Sequence, residues 1–354
     1  MKNNIRKLRL TNHEMSQQEL ANLVGCRRQT IIYLEQGGYM PSVELAIKVS
    51  RALKVALEEV FEYEGPGTYT GSGGNKKTVG LALGGGAAKG LAHIGVLSVL
   101  EKEGIPIDMI AGTSMGALVG AVYAQQRNAK KLEALARHWG TRRLFLFSDL
   151  TFSRAGLVRG RKIDKMLMEI LGEIEFKDLH IPFACVATNI DSGEKVVISQ
   201  GMVRKGVRSS ISIPVILKAV RDEGKCLVDG GLIDQVPVDV LQGMGADFII
   251  AVNVTAFNQL LNNKASPYEK RERKNQPSIL HVIMKTMQIV NSRGLNTELT
   301  GADVTIEPEL EQIGWGDFHR VSECVLQGKL ATEAVVPIIK RKLARVNYAQ
   351  FPQT

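Results

Sequence analysis

The stretch that most constrains this chain is residues 78–123. It reads as an apolar strand (79–83), a glycine run (Gly84, Gly85, Gly86), an amphipathic helix (88–103) and a second apolar run (109–111). That run enters Gly112-Thr113-Ser114-Met115-Gly116, followed by another helix-forming segment. A G-x-S-x-G sequence between an apolar run and a helix is the form of a sharp strand-to-helix turn that exposes the serine Oγ. Gly112 and Gly116 are needed where a Cβ would meet neighbouring backbone. Ser114 then stands at a helix N-terminus, whose unpaired N–H groups and dipole favour developing negative charge.

The glycine run supplies what such a serine needs next. Acyl transfer builds an oxyanion, and consecutive glycines let backbone N–H groups converge on it. A phosphate cradle fits poorly. G-x-x-x-x-G-K-[ST] is absent, and Lys89 stands where the dinucleotide pattern counted from Gly84 needs its third glycine. A merely structural strand-to-helix turn is the remaining alternative.

At 354 residues the chain has room for one large domain or two, and 44% hydrophobic with 23% charged residues is ordinary for a globular protein. The N-terminus lacks the apolar core of a signal peptide. Four scattered cysteines show neither C-x-x-C nor metal-ligand spacing, which suits reduced thiols and a cytoplasmic location. The net charge of +9 is not concentrated at the N-terminus: residues 1–64 carry nine Lys/Arg against eight Asp/Glu, or +1. Residues 127–165 hold eleven basic against three acidic residues.

Residues 1–64 read as a small all-helical unit. Ser16-Gln17-Gln18-Glu19 is a capping box opening a helix over 17–23, Gly25 ends it, and further helices follow at 28–36, 43–53 and 57–61. Two short helices across a tight glycine turn suit a helix-turn-helix. The sequence resembles the Cro/repressor-type helix-turn-helix family over residues 3–64. The resemblance implies that Arg28, Gln29, Thr30 and Tyr33 face DNA, with Gln17 and Gln18 near its backbone. Arg27 stands where that family usually places a capping Ser or Thr, which weakens the cap but adds a phosphate-reaching charge. A protein-interaction or dimerisation module is the alternative. Residues 1–54 alone are +5, with nine basic and four acidic residues, enough for phosphate contacts.

Residues 65–77, rich in Gly, Ser and Thr, read as a flexible linker and the domain boundary. From residue 78 to 354, apolar runs at 79–83, 109–111, 183–188, 195–198, 248–254 and 303–306 alternate with helical patterns. The helices fall at 88–103, 115–126, 129–139, 161–171, 236–243, 277–298, 317–328 and 331–345. That alternation predicts an α/β layered fold with a largely parallel sheet. Arg142, Arg143, Phe145, Phe147 and Phe152 mix cationic and aromatic residues, either a helix-to-loop segment or a surface for peripheral membrane contact. Residues 268–274, YEKRERK, read as a solvated loop.

A serine nucleophile needs a base. Of the histidines, His13 falls in the first domain and His93 reads as a packed helix residue; His281 and His319 come late but in no recognisable strand-end loop. Asp229 is the stronger candidate, because the apolar run before it delivers a carboxylate at a strand end and Gly230-Gly231 let backbone come close. A structural Asp in a turn is its alternative reading.

The glycine run, the G-x-S-x-G turn and Asp229-Gly230-Gly231, in that order and followed by LIDQVPVDVL, resemble the patatin-like phospholipase family over residues 78–345. The resemblance implies an α/β/α sandwich, Ser114 as nucleophile with Asp229 as general base and no histidine, and an oxyanion hole from Gly84, Gly85 and Gly86. Lys89, Gly112, Gly116, Gly230 and Gly231 support these motifs, and no metal or organic cofactor is implied. Residues 208–214 match the family's small-residue-then-proline segment. Two departures appear: Lys89 replaces the usual Arg, keeping charge but losing bidentate geometry, and residues 215–218 lack the expected Gly and second Pro. The expected protein is a cytoplasmic lipid acyl hydrolase acting on a phospholipid or other acyl ester, fused to a DNA-binding unit. The alternative is a transcription regulator, acting as a homodimer, whose α/β domain senses a lipid or acyl ligand.

Overall fold

The computed structural model describes residues 2–12, 15–26, 28–35, 41–62, 77–141, 160–255, 286 and 298–348. Several expectations lie outside these residues: those at His13, Arg27, His281, the linker from 65 to 76, the Arg/Phe segment at 142–152, residues 268–274 and most of the 277–298 helix. The chain divides into two compact units, Met1–Gly73 and Gly74–Thr354.

The first unit opens with β1 (Lys2–Asn3) and runs through α1 (Ile5–Asn12), α2 (Gln17–Val24), α3 (Arg28–Glu35), α4 (Val43–Leu53), α5 (Leu57–Val60) and β2 (Phe61–Glu62). The capping box forms: Glu19 N–H donates to Ser16 Oγ at 3.1 Å and Ser16 N–H to the Glu19 carboxylate at 2.6 Å. Gly25 closes α2 in the left-handed region at φ 72°. Ile5, Leu20, Val24, Ile31, Leu34, Val49, Leu53 and Val60 fill one core. The expected last helix stops at Val60, because Phe61 and Glu62 instead pair antiparallel with Asn3 and Lys2. A buried ion pair joins α1 to α3, with Arg9 Nε 2.8 Å from Glu35 Oε1.

The second unit runs through β3 (Val79–Leu83), a 3-10 turn (Ala87–Leu91), α6 (Ala92–Lys102), β4 (Met109–Thr113), α7 (Met115–Gln126), α8 (Ala129–Thr141) and α9 (Arg161–Leu171). It continues through β5 (Phe183–Asn189), β6 (Glu194–Ile198), α10 (Val203–Ser210), β7 (Val220–Asp222), β8 (Lys225–Asp229), α11 (Val238–Gly243), β9 (Phe248–Val252), β10 (Val304–Ile306) and α12 (Val321–Tyr348). The strand order is β10-β9-β3-β4-β5-β8-β7, with β6 also on β5. Pairing is parallel from β10 to β5 and antiparallel for β6, β7 and β8.

Layering follows from side-chain alternation. Val79, Leu81 and Leu83 point into a core shared with α6, α7 and α12, whereas Ala82 joins Val238 and Leu241 of α11 on the opposite face. Buried along their whole length, β3 and β4 are apolar apart from Thr113 at the end of β4, as parallel strands between helical layers are. The unit is therefore an α/β/α sandwich around a mixed, mostly parallel sheet.

Two helices differ from expectation. The segment after the glycine run begins as a 3-10 turn before α6, and the helices expected at 317–328 and 331–345 are one, α12, with Pro337 inside it. No breaker separates them: Gly328 costs only about 1 kcal/mol against Ala, and packing on α6 outweighs it. Among the described residues no helix is long and apolar enough to cross a membrane.

Candidate active site

The register of β5 brings the two candidate residues together. Cys185 and Val186 pair with β4 on one edge and β6 on the other, and Ala187, Thr188 and Asn189 pair with β8 and β6. β4 and β8 thus share one edge of β5 and approach from opposite directions. Thr113 sits opposite Val186, and Asp229 opposite the next residue, Ala187. The strand carrying the serine ends where the strand carrying the carboxylate ends.

Ser114 is held at φ 53°, ψ −119°, a conformation rare for a residue with a Cβ and characteristic of sites where tertiary structure over-determines the backbone. Its Oγ donates to Asp229 Oδ2 at 2.6 Å, and its N–H donates to Ser210 Oγ at 2.9 Å. Asp229 is fixed from three directions. Its Oδ1 accepts from Gly231 N–H at 2.8 Å, its N–H donates to Ser212 O at 2.9 Å, and its carbonyl accepts from Thr188 Oγ1 at 3.0 Å. Both side chains are buried, at 6% and 3% exposure. Burial raises the Asp229 carboxyl to about 6, opposed by the Ser114 hydroxyl and the Gly231 amide, which stabilise the ionised form.

Close approach explains two of the supporting glycines. A Cβ on Gly116 would lie 2.1 Å from Leu83 O, and one on Gly230 would lie 2.2 Å from Val186 O. The first lets α7 rest on the end of β3; the second lets the turn after Asp229 rest on β5. Gly112 abuts Gly116 and Ala117, and Lys89 is half-buried with its N–H on Gly86 O at 3.0 Å.

The glycine run divides differently from the expected trio of oxyanion donors. Gly84 N–H donates to Val252 O and Gly85 N–H to Gln235 O, each at 3.0 Å, so both are already engaged. Gly86, the partly exposed member of the three, has an N–H that meets no acceptor among the described residues. The expectation is corrected accordingly: sequence shows where glycines cluster but not which amides the sheet has taken.

The histidines do not reach Ser114 Oγ among the described residues. His93 is buried on α6, with Nε2 2.7 Å from Gly84 O; His138, His180 and His319 are exposed. Burial lowers the His93 imidazole to about 4, so it is neutral. Sequence reading missed Thr188 and Gln235 as supports, and for Arg208 and Ser210 it gave the family segment but not their contacts. Arg208 is buried and bonds Asp164 at 2.8 Å and Ser212 Oγ at 2.5 Å, bracing the segment that holds Asp229. Only the run of small residues at 209–212 hinted at such close packing.

A cavity of ≈ 170 Å³ opens beside the serine. Leu118, Leu132, Ala136, Ile163, Ile213 and Leu217 are among its walls, and among the described residues, tryptophan ring nitrogens apart, Ser114 brings its one polar side chain. Ile213, Ile216 and Leu217 reach it from a turn whose Val215 is exposed at φ 70°, a conformation that favours glycine. The segment 215–218, which lacks the expected glycine, thus opens on a residue held in a glycine-like conformation.

In the first unit Arg28 and Gln29 are exposed on the first turn of α3, and Thr30 is half-buried. Gln18 is exposed and bonds Asn22, whereas the Gln17 amide donates to Glu35 Oε2 at 2.8 Å. The side chain of Tyr33 lies outside the described residues.

Fold and site together define an α/β/α sandwich whose serine turn, glycine run and buried aspartate converge at one strand end. The family model "Patatin-like phospholipase" matches residues 81–241, and the model "Helix-turn-helix" matches residues 5–60. The chain therefore carries a patatin-like phospholipase domain behind a helix-turn-helix domain. It is 29% identical over 296 residues to Lysophospholipase NTE1 of Pyricularia oryzae, covering 76% of this chain and 20% of that protein. It is 38% identical over 185 residues to Lysophospholipase nte1 of Aspergillus fumigatus, covering 51% and 12%. To Neuropathy target esterase sws of Drosophila melanogaster it is 36% identical over 182 residues, covering 50% and 13%. The chain spans at most a fifth of the length of these three relatives.

Proposed function

We propose that residues 78–354 are a serine-dependent hydrolase of lipid acyl esters in which Ser114 is the nucleophile and Asp229 the general base. The observation that carries this reading is the 2.6 Å bond from Ser114 Oγ to Asp229 Oδ2 at the wall of an apolar cavity. Asp229 takes the hydroxyl proton as Oγ attacks the ester carbonyl carbon. The tetrahedral oxyanion is met by the Gly86 N–H and by the Met115 N–H at the start of α7, which has no acceptor within its own helix. Collapse expels the alcohol, which leaves with the proton from Asp229, and an acyl-serine remains. Asp229 then deprotonates a water that attacks the acyl carbonyl; as the second tetrahedral intermediate collapses, Ser114 Oγ leaves and takes that proton back from Asp229, releasing fatty acid and restoring both residues.

The cavity takes the acyl chain. Its volume compares with the ~150 Å³ apolar cavity that holds benzene, so it accommodates about six carbons beyond the carbonyl. The relatives' names, lysophospholipase and neuropathy target esterase, support an acyl-ester substrate such as a phospholipid or lysophospholipid. The test is fatty-acid release from lysophospholipid micelles and phospholipid vesicles by wild type and Ser114→Ala. Release by wild type alone supports the reading, and equal release by both removes it.

The helix-turn-helix match and the exposed Arg28 and Gln29 favour DNA binding by the first unit. One such unit reads few base pairs, so operator recognition requires a homodimer on two half-sites. In that setting the sandwich serves as a lipid sensor as well as an enzyme. A DNA affinity unaffected by lipid, in a protein that stays monomeric at micromolar concentration, would remove the sensor reading.

A further inference from the structure

We propose that His93 and Gln235 are positioning residues that fix the Gly84-Gly85 backbone so that the Gly86 amide alone of the three is presented to the reacting carbonyl. The inference rests on the hydrolase reading above. All four backbone polar groups of Gly84 and Gly85 are engaged. The amides go to Val252 O and Gln235 O; the carbonyls accept from His93 Nε2 at 2.7 Å and from the Gln235 amide Nε2 at 2.7 Å.

Gln235 grips Gly85 on both sides, through its own carbonyl and its side chain. Its backbone is pinned in turn: Glu298 Oε2 accepts from Gln235 N–H at 2.9 Å and from Val236 N–H at 3.2 Å. One residue earlier, Asp234 O accepts from Thr113 Oγ1 at 2.9 Å, beside the nucleophile. The same short segment thus ties the glycine run, the serine turn and the turn after Asp229, where Asp234 N–H donates to Gly230 O.

His93 acts from the other side. A backbone carbonyl only accepts, so Nε2 carries the proton, and Nδ1 is left buried without a partner. An unpaired buried nitrogen is a cost that packing alone does not demand, because an apolar residue would avoid it. What the imidazole contributes is a donor to Gly84 O. That carbonyl also lies against α7: a Cβ on Gly116 would be 2.7 Å from it, just beyond the 2.1 Å approach to Leu83 O. The loop is keyed to the helix that carries Ser114, and Gly85 faces the serine with an ideal Cβ position 3.4 Å from Ser114 Cβ. Oxyanion stabilisation depends on donors fixed before charge develops, so loosening this clamp weakens binding of the tetrahedral state more than binding of the ester.

The experiment uses the full chain as wild type, His93→Leu, His93→Gln and Gln235→Leu. Each is assayed with a chromogenic acyl ester, with an acyl trifluoromethyl ketone that forms a tetrahedral adduct on serine, and with a fatty acid as ground-state ligand. Gln235→Leu and His93→Leu are expected to lower kcat tenfold or more, with KM within about twofold. Affinity for the ketone should fall by the same factor as kcat/KM, and fatty-acid affinity should be unchanged. His93→Gln, which keeps an N–H donor, should recover most of the loss. If His93→Leu does not fold, His93→Gln and Gln235→Leu decide the matter. Folded variants with wild-type kcat, or a fall in kcat without a fall in ketone affinity, would overturn the inference. A wild type that neither turns over ester nor binds the ketone would instead remove the hydrolase reading.

Discussion

Arg28 and Gln29 are exposed on the first turn of α3, held only by the local fold of a helical unit, whereas Ser114 and Asp229 lie buried at 6% and 3% exposure. The side chains proposed to contact DNA lie on two neighbouring helices, α2 and α3. The sandwich site is assembled from β4, β8, the glycine run and the segment after Asp229. Changes in the first should act on binding alone, residue by residue. Changes in the second should act as a unit, because each group is placed by the others.

The largest effect tests that contrast directly. Ser114→Ala and Asp229→Asn should each lower kcat/KM by roughly 10⁴-fold while leaving DNA affinity unchanged. Arg28→Ala should do the reverse, weakening DNA binding about tenfold and flattening its salt dependence, with ester turnover intact. Fluorescence anisotropy at two salt concentrations and a chromogenic ester assay read both arms. A loss of both activities from either substitution would break the comparison.

pH sharpens it further. As the proposed base, Asp229 would act when ionised, and its carboxyl is raised to about 6, so kcat/KM should rise with pH and level off above that value. The linkage to stability has the opposite sense. A carboxyl whose folded pKa exceeds its unfolded value contributes stability that is full below about 3.8 and lost as pH rises through about 6. Asp229→Asn should remove that part of the stability decline in urea titrations across this range.

Smaller effects probe the cavity and its rim. Ala136→Phe fills part of the apolar cavity and, if that cavity takes the acyl chain, should shift preference toward shorter acyl esters by about tenfold, read as the ratio of kcat/KM for octanoyl over butanoyl esters. Val215→Gly relieves a β-branched residue at φ 70° and should stabilise the sandwich by about 1 kcal/mol, less the glycine's extra unfolded-state entropy. A higher urea midpoint checks it.

Much of this was legible in the sequence because it rests on local chemistry. The capping box at Ser16, the serine turn and the apolar parallel strands are set by neighbours within a few positions. What the sequence did not reveal depends on contacts between distant segments. The amides of Gly84 and Gly85 are used by residues far along the chain, and only the sheet's register decides that Gly86 is left over. His93 read as a packed helix residue because a histidine donating to a carbonyl has no sequence signature. The α12 helix was divided in two because Gly328 weakens the local pattern that packing on α6 restores. The run ending at Asp229 read as a strand end, but β7, short and partly polar, and the antiparallel pairing of β7 and β8 did not show.

The most direct test of the central claim is a fluorophosphonate serine-hydrolase probe, with the modified residue located by mass spectrometry and ester turnover measured alongside. One adduct is expected, on Ser114, formed at a rate that falls with turnover in Asp229→Asn. An adduct on another serine, or an Asp229→Asn variant that labels and turns over like wild type, would contradict it.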